Sequence, residues 1–159
     1  MVRICFVCLG NICRSPTAEG IMIALVEDAK LSDAIANDSA GTAAFHVGEK
    51  ADARSRQIAT QRGVDLASRA RMFRAEDFED FDYVIAMDKS NQRNLLAIAP
   101  SDDAKAKITM LRDYDPKSPN GADVPDPYYG GPNGFDDVFD ICDAGCRGLL
   151  QHIQKNDLS

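Results

Sequence analysis

The stretch Val2-Arg3-Ile4-Cys5-Phe6-Val7-Cys8-Leu9-Gly10-Asn11-Ile12-Cys13-Arg14-Ser15-Pro16 decides how the rest of the chain is read. Residues 2–7 are apolar and β-branched with one interruption, which predicts a short buried strand. Cys8 to Asn11 predicts a tight loop, because Gly10 and Asn11 are residue types that tolerate positive φ. Ser15-Pro16 predicts a helix start, with Ser15 as N-cap and Pro16 where its missing N–H costs nothing. Strand, loop and helix in this order form the opening unit of an α/β domain.

Working outward, the first helix is expected to run to about residue 28, with Ala18, Ile21, Met22, Leu25 and Val26 on one face. Further helices are predicted over 52–62, stopped by Gly63, over 90–99, stopped by Pro100, and over 135–155. Strands are predicted over 82–87 and 108–111. Strands alternating with helices indicate a parallel sheet covered on both faces. Ligands of such sheets bind beyond the carboxyl ends of the strands, which points to the loop after Val7. Residues 112–134 differ, with five prolines and four glycines. A loop of that length inside a compact domain is usually functional.

The chain has 159 residues, enough for about one domain with a substantial core. Its formal net charge of −7 argues against a nucleic-acid partner and against docking on anionic lipid. No stretch approaches the length of an apolar membrane span. The apolar start is short and broken by Gly10, Asn11 and Arg14, so no export signal is read there and a cytoplasmic location is expected. In that compartment the five cysteines are core filler, metal ligands or chemistry. Cys5-Phe6-Val7-Cys8 has zinc-like spacing, but no second ligand pair accompanies it. Cys142 and Cys146, four apart on the core face of the last helix, read as small apolar filler. His46 and His152 read as structural or surface residues.

The loop Cys8 to Ser15 carries the chemistry. Successive N–H groups at a strand-to-helix junction can form an anion-binding nest beside the positive end of a helix. A cysteine in that field is favoured as thiolate, and Arg14 can fork onto two oxygens of a phosphoryl group. Nucleophile, donors and bidentate cation suit in-line attack on phosphorus. Ser15 has a second possible task, donating its hydroxyl to the Cys8 sulfur. The plainer alternative is a buried strand-end thiol beside a turn. Asp126 lies between Pro125 and Pro127 and is a candidate general acid held on a loop, with a simple turn residue as the alternative. Between Arg54 and Arg74 six arginines face one acid, Asp65. That is either a solvated helix face or a charge near a binding mouth that favours acidic phosphopeptides.

At these residues the sequence resembles the low-molecular-weight protein tyrosine phosphatases. The likeness lies in Cys8-Leu9-Gly10-Asn11-Ile12-Cys13-Arg14-Ser15-Pro16 and continues through Asp38-Ser39-Ala40-Gly41-Thr42, Ala86-Met87-Asp88-Lys89-Ser90-Asn91 and Asp126-Pro127-Tyr128-Tyr129. It implies one domain over 1–159, three layers around a four-stranded parallel sheet, and neither metal nor organic cofactor. It further implies a phosphocysteine route for phosphotyrosine and aryl phosphate esters, with inorganic phosphate as product. Carried over by position, Cys8 is the nucleophile, Arg14 the phosphate ligand and Asp126 the general acid. The phosphate-binding loop is Leu9, Gly10, Asn11, Ile12, Cys13 and Arg14, supported by Asn11, Ser15 and Ser39. Leu9, Phe45, Tyr128 and Tyr129 line the phosphotyrosine slot, and Cys13 is the redox partner of Cys8. One departure is Ser68, where the family often has a histidine in a buried network with the loop. The competing activities on this fold are an arsenate reductase, which needs further relay cysteines, and a phosphoarginine phosphatase, whose loop resembles this one with Thr in place of Ile12. A non-catalytic phosphopeptide-binding or redox-sensing module is the alternative from another class.

Overall fold

A computed structural model describes residues 1–129 and 131–158. Four strands form one all-parallel sheet: β1 (Val2–Cys8), β2 (Ile35–Gly41), β3 (Tyr83–Ala86) and β4 (Ile108–Met110), in the order β2-β1-β3-β4. The helices are α1 (Arg14–Asp28), α2 (Ala53–Gln61), α3 (Lys89–Ile98), α4 (Asp102–Ala106) and α5 (Gly134–Asn156). β1 is central, and its residues Ile4 to Cys8 are all buried, as a parallel strand covered on both faces requires.

Alternate residues of the strands feed two cores. Ile4, Phe6 and Cys8 join Ala18, Ile21 and Met22 of α1 and Cys142, Cys146 and Leu149 of α5. Cys5 and Val7 point the other way, to Phe73, Phe78, Val84, Leu95 and Met110. Cys142 and Cys146 are fully buried, and their thiols lie 4.0 and 3.4 Å from the Arg14 and Ala18 carbonyl oxygens where α5 crosses α1. Both therefore pack as filler.

The strand β2 was not visible in the residue pattern. Ile35-Ala36-Asn37-Asp38-Ser39-Ala40-Gly41 has one β-branched residue and several turn formers. Its pairing with β1 along the whole ladder, from Val2↔Ile35 to Cys8↔Gly41, supplies what its propensity lacks. Gly41 is demanded by contact: a Cβ there would lie 2.7 Å from the Leu9 carbonyl oxygen. The expected start of the first helix also needs correction. The N-cap position is Cys13 rather than Ser15, and the Ser15 side chain turns inward instead of capping. At α2 the expectation holds closely, with Asp52 as N-cap and Gly63 just past the end at φ +77°.

β1 sends the chain to one side through α1 and β2, while β3 lies on its other side. The order of the strands therefore reverses beside the carboxyl end of β1, the place where open α/β sheets bind ligands.

Candidate active site

Cys8 is the last residue of β1 and 3% exposed. Beyond it the chain turns through Asn11, whose φ is +58°. An asparagine tolerates this conformation, and here its side chain fixes it. The Asn11 Nδ2 donates to the hydroxyls of Ser15 at 2.8 Å and Ser39 at 2.9 Å, while its Oδ1 accepts from the Arg71 N–H at 3.0 Å. The two hydroxyl bonds set the direction of everything downstream. Because Ser15 accepts from Asn11, its own proton is left for the Cys8 Sγ, 3.0 Å away, with the Ala40 carbonyl the more distant acceptor at 3.4 Å. The Asn11 N–H reaches the same sulfur at 3.3 Å. Two donors thus converge on Sγ and stabilise negative charge there.

The other branch runs from Ser39, which donates to Glu19 Oε1 at 2.6 Å. Ser68 lies close enough to Glu19 to act on its carboxyl in the same sense as Ser39. At the departure from the family pattern, Ser68 places a small hydroxyl side chain beside Glu19, and Arg71 contributes its backbone N–H to Asn11. The Arg71 side chain is anchored in turn by Asp38 at 3.1 Å and Asp77 at 3.2 Å. Glu19 was not singled out in the sequence, and its only signal was proximity in chain to residues that were.

Burial raises the Glu19 pKa, against the opposing effect of the Ser39 and Ser68 hydroxyls. The folded protein therefore keeps this proton at a pH where the unfolded chain has released it. Its contribution to stability is whole below the ordinary glutamate pKa of about 4.3 and is lost as pH rises through the raised value. Glu19→Gln removes that loss. The unfolding free energy of the variant relative to the parent, from urea titrations between about pH 4 and 7, is expected to increase with pH. A difference independent of pH would contradict the raised value.

Arg14 opens α1 and is 5% exposed. Its Nη1 donates to Asp88 Oδ2 at 2.6 Å and to the Val124 carbonyl at 3.0 Å. Burial opposes its charge, but Cys8 and Asp88 outweigh that and raise its pKa. Nε and Nη2 have no partner among the described residues, and Arg14 lines the same slot as Cys8. Asp88 is itself fixed as N-cap of α3 by a capping box with Asn91.

The slot is a cavity of about 160 Å³ that brings together Cys8, Leu9, Gly10, Ile12, Cys13, Arg14, Phe45, Asp126 and Tyr128 from the sequence reading. The side chain of Tyr129 lies outside the described residues. His46, read from sequence as structural or surface, also lines the slot, with Nδ1 2.7 Å from Glu49 Oε2. A larger cavity of about 510 Å³ opens between α1 and residues 63–68, but no thiol or cationic side chain lines it.

On the far wall, Asp126 Oδ1 accepts from the Tyr128 N–H at 3.0 Å. The Tyr128 hydroxyl donates to Asp52 Oδ2 at 2.8 Å, and the Asp52 N–H donates to the Ile12 carbonyl at 2.7 Å. Asp52 thus ties the loop bearing Asp126 to the loop bearing Cys8. The Arg54 guanidinium braces this contact, bonded to both Asp52 oxygens at 3.1 Å and lying 4.8 Å from the Tyr128 ring centroid. Cys13, with its pKa pushed up by burial to about 11, stands 3.6 Å from the Tyr128 hydroxyl.

A buried thiol at the end of a parallel strand, met by two donors and facing an arginine and a carboxylate across a narrow slot, defines a site for transfer to a nucleophilic sulfur. The family model described as low molecular weight phosphotyrosine protein phosphatase matches residues 3–158, and the chain belongs to that family. It is 44% identical over 154 residues to the low molecular weight protein-tyrosine-phosphatase of Streptomyces coelicolor, covering 96% of this chain and 94% of the relative. The crystal structure of a protein tyrosine phosphatase from Entamoeba histolytica is 39% identical and superposes with a TM-score of 0.92 over 98% of each chain. An arginine phosphatase from Drosophila, 35% identical, superposes with a TM-score of 0.86 over 97% of this chain and 99% of its own.

Proposed function

We propose that the protein hydrolyses phosphotyrosine and aryl phosphate monoesters through a phosphocysteine intermediate. The observation that carries this reading is the convergence of the Ser15 hydroxyl and the Asn11 N–H on Cys8 Sγ in a slot shared with Arg14 and Asp126. In the first step Sγ attacks phosphorus, the bond to the phenolic oxygen breaks, and Asp126 protonates that oxygen. In the second, water attacks phosphorus, Asp126 takes its proton, the S–P bond breaks and inorganic phosphate leaves. Arg14 and the amides of residues 9–14 hold the equatorial oxygens throughout. Leu9, Ile12, Phe45 and Tyr128 form an apolar and aromatic wall suited to a phenyl ring.

The Drosophila neighbour means that fold alone does not select the phosphorylated side chain. The slot favours tyrosine, because a guanidinium needs acceptors and Asp126 is the only acidic residue among its described lining. A thiol relay of the arsenate reductase kind lacks support, since Cys5, Cys142 and Cys146 are fully buried. Cys13 shares the slot with Cys8. That supports its reading as the thiol that condenses with a peroxide-oxidised Cys8 sulfenic acid, forming a disulfide and releasing water. None of the cysteines is paired, which suits a reducing, cytoplasmic setting. Among the described residues no helix is long and apolar enough to cross a membrane.

Vanadate-sensitive hydrolysis of p-nitrophenyl phosphate tests the reading. Turnover without added metal is expected, with faster hydrolysis of phosphotyrosine than of phosphoarginine. Tight phosphopeptide binding without turnover would instead establish a binding module.

A further inference from the structure

Six arginines lie between Arg54 and Arg74, and the fold neutralises three of them. Arg54 pairs with Asp52, Arg62 with Asp136 and Asp140, and Arg71 with Asp38 and Asp77. Arg56, Arg69 and Arg74, together with Lys50, form no ion pair among the described residues.

Two of these cations stand together. Lys50 and Arg69 are partners in an antiparallel bridge. Around it the Gly48 N–H donates to the Ala70 carbonyl and the Ala70 N–H to the Glu49 carbonyl, each at 2.8 Å. The Arg69 guanidinium adds a bond to the Gly48 carbonyl at 3.0 Å. These bonds fasten residues 48–50 into a ledge that directly continues the segment carrying Phe45 and His46 at the slot. Phe45 is 76% exposed and Val47 57%. One side of the mouth therefore presents two exposed apolar side chains followed by two exposed cations.

The neighbouring acids do not cancel that charge. Asp52 is offset by Arg54, and Glu49, held on the His46 ring, offsets only part of the charge of Lys50 and Arg69. Asp126 stands on the opposite wall. In a chain of net charge −7 this leaves a local positive surface at the mouth of the slot.

We infer that this ledge reads the residues flanking the phosphotyrosine and selects phosphopeptides that carry acidic side chains beside an apolar one. The inference rests on the tyrosine phosphatase reading and deepens it. Once the phosphoryl group is held by the loop, the flanking chain has to leave the slot across its rim. Acidic side chains passing over Lys50 and Arg69 gain attraction, and basic ones are repelled. Both cations are exposed, so the selectivity is several-fold rather than orders of magnitude, and salt weakens it.

The test is kcat/KM for phosphotyrosyl peptides of one length with acidic, neutral or basic flanks, at low and high salt, with p-nitrophenyl phosphate as the flankless reference. The acidic peptide is expected to be preferred over the neutral one by about five- to tenfold at low salt, mainly through KM, with the preference shrinking at high salt. Lys50→Glu, at a side chain with no hydrogen bond or ion pair among the described residues, should lose much of the preference, and Lys50→Glu/Arg69→Glu should abolish or reverse it. Hydrolysis of p-nitrophenyl phosphate should be unchanged in Lys50→Glu. Equal kcat/KM across flanks, or a preference that survives the double variant, would overturn the inference and leave the phosphatase reading standing. Failure of the parent protein to hydrolyse p-nitrophenyl phosphate would overturn that reading instead.

Discussion

Cys8→Ser is expected to lower kcat/KM for p-nitrophenyl phosphate by about four orders of magnitude or more while phosphate binding persists. The serine Oγ would occupy the place of a sulfur that receives donors from Ser15 and Asn11. Those donors suit a sulfur nucleophile, and neither can take a proton away from a neutral hydroxyl. Among the described residues no histidine or carboxylate hydrogen-bonds to Cys8 to serve as that base, so the hydroxyl stays protonated and inert. The oxyanion ligands remain, because Arg14 is anchored independently by Asp88 and the Val124 carbonyl. Steady-state kinetics paired with calorimetric titration of phosphate measure both halves. A variant keeping a tenth of the parent activity would exclude Cys8 as the nucleophile.

Asp126→Ala is expected to lower kcat/KM by about two to three orders of magnitude for phenyl phosphate, and by less for p-nitrophenyl phosphate. The difference follows from the leaving group: a stable phenolate departs without a proton, and a basic one does not. The geometry assigns the transfer to one oxygen. Oδ1 is occupied by the Tyr128 N–H, which leaves Oδ2 for the leaving oxygen. Pro125 and Pro127 restrict the backbone on either side, and the Tyr128–Asp52 bond holds this loop against the one bearing Cys8. A series of aryl phosphates of graded leaving-group basicity measures the effect. An equal loss across the series would show that Asp126 supports the site without donating a proton.

Much of this site was readable because its chemistry is local. Strand, Gly10-Asn11, cysteine and arginine fall within one short segment, so residue order alone brings them together. What escaped is held by tertiary contact. Strand β2 is specified by its ladder to β1 rather than by Asn37, Asp38 or Gly41, all poor strand formers. Ser15 followed by proline fits an N-cap, yet a buried serine goes where a donor is needed, and Cys8 and Asn11 outbid the helix end for its hydroxyl. His46 belonged to no motif that marked it, and only the fold of its segment, which sets its ring against Gly10, brings it to the slot. The buried network from Asn11 through Ser39 to Glu19 depends on side chains far apart in sequence. The arginine run shows the same limit. Its composition was evident, but which cations are neutralised and which stay free at the rim depends on where Asp38, Asp77, Asp136 and Asp140 are placed by the fold.

The central claim is that phosphate passes through a covalent bond to Cys8. Mixing the enzyme with excess p-nitrophenyl phosphate, quenching in acid within milliseconds and mapping the phosphoryl group by peptide mass spectrometry tests it most directly. The account predicts a phosphoryl group on the peptide containing Cys8, appearing with the first burst of p-nitrophenol and absent in Cys8→Ser. Full turnover with no phosphorylated peptide at any quench time, or a phosphoryl group on another residue, would contradict it.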